Sequence, residues 1–251
     1  MARLTSMTVL TGLVIWGLVV GIAAAPRSVP VPGGIIVTSV VDHGAVPNDD
    51  RDDTRAISAA IAACSGSGTR TLYFPGGTYN LSNLTIPSTI NVMIPNGAIL
   101  KIADKATVRF NGPFTAGLHQ AFAGAGHAHF GPGAVGEVYP QWWGASPASS
   151  DSSPAINKAI NSAPTLPGVN VRLTGQLNCK TTIHVNRHRV KLIGDGMYST
   201  QLTFDPDTPK ALFEFSHPDK SVIVQCAISG LIRWHSVSVL NLLSRRSRRF
   251  S

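Results

Sequence analysis

The chain begins the same pattern twice. Val41-Asp42-His43-Gly44-Ala45 leads through an acidic loop, Asn48-Asp49-Asp50-Arg51-Asp52-Asp53, into Thr54-Arg55-Ala56-Ile57-Ser58-Ala59-Ala60-Ile61. Gln141-Trp142-Trp143-Gly144-Ala145 then leads through Ser149-Ser150-Asp151-Ser152-Ser153 into Pro154-Ala155-Ile156-Asn157-Lys158-Ala159-Ile160. Gly44-Ala45 and Gly144-Ala145 stand 100 residues apart in a chain of 251. Such self-similarity requires each copy to run through the same series of elements, and it favours architectures whose units bury their core against one another.

After each loop the spacing predicts a short amphipathic helix. Ile57, Ala60, Ile61 and Cys64 follow the i, i+3, i+4, i+7 rule, as do Ile156, Ala159, Ile160 and Ala163. Asp52 or Asp53 supplies a side-chain acceptor for the open amides of the first helix. Ser152 or Ser153, with Pro154 at the first helical position, does so for the second. Gly66 and Gly68 end one helix and Pro164 the other.

Short strands follow each helix: 71–74, 84–86, 90–94 and 99–102, then 170–173, 182–185, 190–193 and 202–204. Each is apolar-rich and bounded by turn residues such as Pro75-Gly76-Gly77, Pro95-Asn96-Gly97 and Gly194-Asp195-Gly196. The 24 Gly and 17 Pro beside only 14% charged residues agree with many turns between buried strands. Stacked coils explain this spacing better than a sandwich does, with the two helices covering exposed core or strand edges.

The remaining segments divide the chain. An apolar run without a charge, Met7 to Ala25, ends Ala23-Ala24-Ala25-Pro26. Residues 1–25 therefore read as an export signal, with an uncleaved membrane anchor as the alternative, and 26–35 as a linker. The first strand segment is expected at 36–110, a Gly/Ala-rich connection with room for one poorly regular coil at 111–137, and the second segment at 138–230. Residues 231–251 break the pattern and end in an Arg/Ser run. Arg245, Arg246, Arg248 and Arg249 supply half of the net charge of +8, so the body is only mildly basic and no nucleic-acid partner is expected. Cys64, Cys179 and Cys226 are too few and too scattered for a disulfide framework or a metal-ligand spacing.

The motif Gly44-Ala45, Asp49-Asp50, Asp52-Asp53-Thr54, Ala56-Ile57, Ala60-Ile61, with Tyr73-Phe74-Pro75-Gly76-Gly77-Thr78-Tyr79 after it, resembles the start of a known family. That family is the pectate-lyase superfamily domain of glycosyl-hydrolase-28-related, rhamnogalacturonase- and epimerase-like proteins. Tyr139-Pro140-Gln141-Trp142-Trp143-Gly144-Ala145 resembles the re-entrant motif of some members, although Ser152 and Ser153 replace its Asp-Asp-Thr. The resemblance implies a mainly β chain folded as a right-handed parallel β-helix, secreted or held at the cell envelope, with an extracellular and often acidic polysaccharide as partner. Calcium is implied by the resemblance alone, and the residues identify no cofactor.

Fold does not settle activity. The Asn-Thr-Asp, Gly-His-Gly and Arg-Ile-Lys of the polygalacturonase-like branch do not occur, the Asp49-Asp50 and Asp52-Asp53 pairs stand in the loop before a helix where capping is the expected role, and no catalytic residue is assigned. The expected function is a polysaccharide-associated β-helix protein, truncated and without a complete active site. An active polyuronide lyase or hydrolase with a diverged site, and a non-enzymatic surface adhesin, are the alternatives. Trp142 and Trp143 are the candidate sugar-stacking residues; on a strand they would face opposite ways, leaving at most one for a ligand. His127 and His129 share a face if extended but lack a third metal ligand, so they read as solvated loop histidines. Asn80-Leu81-Ser82 and Asn83-Leu84-Thr85 are glycosylation sequons in a host that glycosylates.

Overall fold

The computed structural model describes residues 29–31, 35–67, 70–164, 168–196, 198–208, 210–216 and 227–229. The apolar run at 7–25, Cys226 and the arginine-rich tail lie outside them. Among the described residues no helix is long and apolar enough to cross a membrane.

An antiparallel pair, β1 (Val29–Val31) and β2 (Ile35–Ser39), opens the fold and is followed by helix α1 (Thr54–Ser67). The chain continues through β3 (Thr71–Tyr73), β4 (Gly77–Leu81), β5 (Leu84–Ile86), β6 (Asn91–Ile94), β7 (Ala98–Ile102) and β8 (Thr107–Phe110). Next come β9 (Phe114–Ala116), β10 (Phe122–Ala123), β11 (His127–Phe130) and β12 (Glu137–Val138). Helix α2 (Ser153–Ser162) precedes β13 (Val169–Leu173), β14 (Gly175–Cys179), β15 (Ile183–Val185) and β16 (Val190–Gly194). The last described strands are β17 (Thr200–Phe204), β18 (Phe213–Phe215) and β19 (Ala227–Ser229).

From β3 to β11 the chain visits three parallel sheets in rotation: β2-β3-β6-β9, then β4-β7-β10, then β5-β8-β11. After α2 the rotation resumes, with β12-β13-β16-β19, β14-β17 and β15-β18. The fold is mainly β, and its parallel sheets are those a β-helix requires. Register turns alternation along each strand into stacks across strands. Leu72, Val92 and Phe114 lie in line, as do Tyr79, Leu100 and Phe122, and Ile86, Phe110 and Phe130. All nine are buried.

The helices cover core as their spacing predicts. Ile57, Ala60 and Cys64 of α1 are fully buried, and so are Ile156, Ala159 and Ile160 of α2. At the start of α1, Asp52 accepts the Thr54 amide at 2.7 Å, whereas Asp53 turns away from the helix and accepts the amides of Val46 and Asn80. At α2 the serines expected as caps do not act as such. Ser152 makes no side-chain bond to the helix, and the Ser153 hydroxyl accepts the Thr181 amide. Asp151 is the acceptor instead, taking the Ser153 amide at 2.9 Å and the Lys180 amide at 3.0 Å. Its longer side chain reaches both the helix and the next strand's turn. Each copy thus ties helix to sheet through one carboxylate, Asp52 or Asp151.

The segment expected as a Gly/Ala-rich connection with room for one poorly regular coil forms β9, β10 and β11, a full third passage through the first three sheets. Its glycines mark close approach of neighbouring backbones, not slack loop. A Cβ at Gly112 would lie 2.0 Å from the Ile90 carbonyl oxygen, and one at Gly124, whose φ is +86°, 2.1 Å from that of Ile102. Only glycine avoids both collisions. The phenylalanines of this passage fill the interior: Phe114 packs on Phe110, Phe122, Phe130 and Trp142 with ring centroids 5.1 to 5.5 Å away.

Candidate functional site

The outer face of the β5-β8-β11 sheet carries a row of polar side chains where the inner face carries Ile86, Phe110 and Phe130. Thr85, Arg109 and His129 are successive register partners along this row. Arg109 is exposed and His129 half-buried. Arg187, two residues beyond β15, comes from the second copy and donates to the Ala163 carbonyl just past α2. A cation at that carbonyl end meets the negative pole of the helix.

Arg109, His129 and Arg187 line a cleft of about 560 Å³ with Asn111 and Pro164. It is the meeting place of the two copies, since Arg109 and His129 precede α2 and Arg187 follows it. No carboxylate lines it among the described residues. Burial, then Arg187, Arg109 and His127, bring His129 down to about 4, so its imidazole is neutral at pH 7. Burial also lowers Arg187, though a guanidinium keeps its charge. Two guanidinium groups around a neutral ring make a cationic, donor-rich concavity suited to carboxylate or sulfate oxygens.

The other acidic and aromatic candidates are committed elsewhere. Asp49 and Asp53 accept backbone amides of their own loop, and Asp53 is 5% exposed. Hydrogen bonds from Ser82 and Thr54 outweigh burial at Asp52 and hold its carboxyl below the usual range. Trp142 and Trp143 sit on a 3-10 turn, Pro140–Trp143, not on a strand. Trp142 is 3% exposed and donates its indole N–H to the Gly117 carbonyl at 2.9 Å. Trp143 is half-buried and stacks on Phe122 at 5.0 Å. Beyond the cleft, Arg172 bridges Glu137 and Asp195 on the β12-β13-β16-β19 sheet, with Tyr139 donating to Glu137. No set of three metal-ligating side chains forms among the described residues.

Of the residues in the cleft, only His129 stood out in the sequence. The signal for Arg109 was its outward place one coil before His129, which needed the strand 107–110 to be recognised. Arg187 carries no such signal.

Among solved structures, the chain is similar to PfbA, a surface adhesin of Streptococcus pneumoniae, at 18% identity and a TM-score of 0.29. That likeness covers 76% of this chain and 52% of the adhesin, so the chain spans about half the adhesin's length. It is also similar to a candidate glycosyl hydrolase from Parabacteroides merdae, at 14% identity and a TM-score of 0.28, over 79% of this chain and 100% of that one. No curated protein matches. Residues 37–112, which hold the acidic loop, α1 and the first two passages through the sheets, match the family described as rhamnogalacturonase A/epimerase, pectate lyase-like.

Proposed function

We propose that this chain is an exported right-handed parallel β-helix protein that binds an acidic extracellular polysaccharide in the Arg109–His129–Arg187 cleft. The family match over residues 37–112 supports association with polysaccharide. The apolar run from Met7 to Ala25 supports export. The observation that carries the reading is the cleft's charge: two arginines and a histidine converge, with no lining carboxylate among the described residues. A uronate or sulfated sugar brings negative charge to this lining, and its oxygens match the planar donors of arginine.

Affinity chromatography on immobilised polyuronate and on a neutral glucan tests this. The wild-type chain is retained by the polyuronate alone, and Arg109→Glu elutes with the unbound fraction, while Lys210→Ala, at an exposed position outside the cleft, behaves as wild type. Equal retention on both matrices, or retention unaffected by Arg109→Glu, contradicts the proposal.

A further inference from the structure

We propose that Asn83 is a glycan-acceptor site: in a glycosylating secretory compartment its side-chain amide takes an N-linked oligosaccharide, and that of Asn80 does not. The inference rests on the export part of the proposed function and adds a covalent modification outside the cleft lining. The sequence holds two sequons, Asn80-Leu81-Ser82 and Asn83-Leu84-Thr85, and the fold treats them differently. Asn83 is exposed at the bend between β4 and β5. Leu84 turns into the core at 8% exposure, and alternation along β5 leaves Thr85 exposed on the outer face. The acceptor amide and the hydroxyl of its sequon therefore both stand on the solvent side of the chain.

The Asn83 side chain divides its amide in a way that suits this chemistry. Its Oδ1 accepts the Thr107 amide at 2.8 Å, which ties the bend to the start of β8, and no described residue accepts a hydrogen bond from its Nδ2. Transfer uses Nδ2. That nitrogen bonds to C1 of the first sugar of an oligosaccharide carried on a lipid pyrophosphate, the sugar's C1–O bond breaks, and the lipid pyrophosphate leaves with the bonding electrons. Nδ2 gives up one of its two protons to the transferase. The product is still an amide and keeps its Oδ1, so the bond from Thr107 survives the modification. Asn80 stands in a different setting. It lines a cleft of about 300 Å³ with Asp50, Asp52 and Lys101, and Lys101, its register partner on β7, pairs with Asp50 at 3.7 Å. Ser82, the hydroxyl of its sequon, donates to Asp52 at 2.5 Å. A sugar on Asn80 falls among these charged groups against the sheet, whereas one on Asn83 leaves into solvent.

The test is translation of the full chain in the presence of endoplasmic-reticulum microsomes, with protease protection reporting entry and an endoglycosidase-sensitive band shift reporting the glycan. The expected result is a protected wild type shifted by a single glycan, an Asn80→Gln variant shifted alike, and a Thr85→Val variant that is protected but unshifted. Thr85→Val removes the sequon hydroxyl and leaves Asn83 with its bond from Thr107 in place. A protected wild type without a shift overturns the site and leaves the export reading standing. A shift that persists in Thr85→Val puts a glycan on Asn80 and overturns the choice of Asn83. A wild type that stays protease-sensitive beside a protected secretory control overturns export, and the site with it.

Discussion

Arg109 and His129 are register partners on adjacent parallel strands, placed side by side on the outer face of a sheet whose inner face is apolar. Parallel strands lie about 4.8 Å apart, so this pairing sets a permanent cation beside the imidazole whether or not the cleft is filled. Burial of the ring, with this neighbouring charge added, sets His129 apart from ordinary surface histidines.

The lowered His129 value, caused by burial first and neighbouring charge second, should be visible in folding stability. The unfolded chain protonates His129 near 6.5 and the folded chain near 4, so the unfolded state binds more protons between those values. Stability contributed by the neutral ring is complete above about pH 6.5 and declines as pH falls towards 4. The decline should be on the order of 1–2 kcal/mol once solvent screening of a half-exposed group is allowed for. Urea denaturation at pH 7 and pH 4.5 should show a smaller loss in His129→Gln than in wild type. Asp52 and Asp151, both held below the usual carboxylate range, lose their contribution only as pH falls through the region below about 3.8, which separates the two effects.

The two copies differ at their helix starts in a way that mutation can read. Asp151→Ala removes the acceptor for the Ser153 and Lys180 amides and should destabilise the fold by about 1–2 kcal/mol. Ser152→Ala should cost less than about 0.5 kcal/mol, since the buried Ser152 hydroxyl has no hydrogen-bond partner among the described residues. Thermal melts of the two variants give the order directly. A larger loss for Ser152→Ala would place the cap on the serine.

Gly124→Ala should destabilise by about 2–3 kcal/mol, because a Cβ there strikes the Ile102 carbonyl and the backbone is left-handed. Gly133→Ala is the informative comparison: its φ is +78° but nothing lies within 4 Å of the added atom. It should cost about 1 kcal/mol, the strain of the left-handed backbone alone. Equal losses in chemical denaturation would mean that coil stacking at Gly124 is looser than the structure has it.

Much of this architecture was legible because the two copies repeat their helix period and turn chemistry. Ile57 and Ile156 declare buried helix faces by spacing alone, and Tyr73-Phe74-Pro75-Gly76 declares a strand and its turn. The strand Gly77–Leu81 was hidden, since Gly76-Gly77 reads as a turn and the strand begins inside it. Residues 111–137 were misleading for a related reason. Glycine serves there to let carbonyls of the preceding coil approach, and composition alone does not distinguish that role from a flexible loop. The cleft was illegible apart from His129, because its arginines lie 78 positions apart, at 109 and 187, and meet only when α2 and the sheets have folded.

The same separation gives the cleft a structural consequence. An anion held by Arg109 and Arg187 links one copy to the other and stabilises the folded chain by mass action. At a dextran sulfate concentration of a hundred times the dissociation constant, the gain is about 2.7 kcal/mol. Differential scanning fluorimetry should record a rise in Tm for wild type and a much smaller one for Arg187→Gln.

The measurement that bears most directly on the central claim is the affinity of the full chain for a polyuronate and for the same polymer after its carboxylates have been reduced to alcohols, each followed across a salt series. Loss of binding on reduction by tenfold or more, with polyuronate affinity falling as salt rises, is the expected result for recognition by Arg109 and Arg187. Equal affinity for the two polymers, independent of salt, would contradict it.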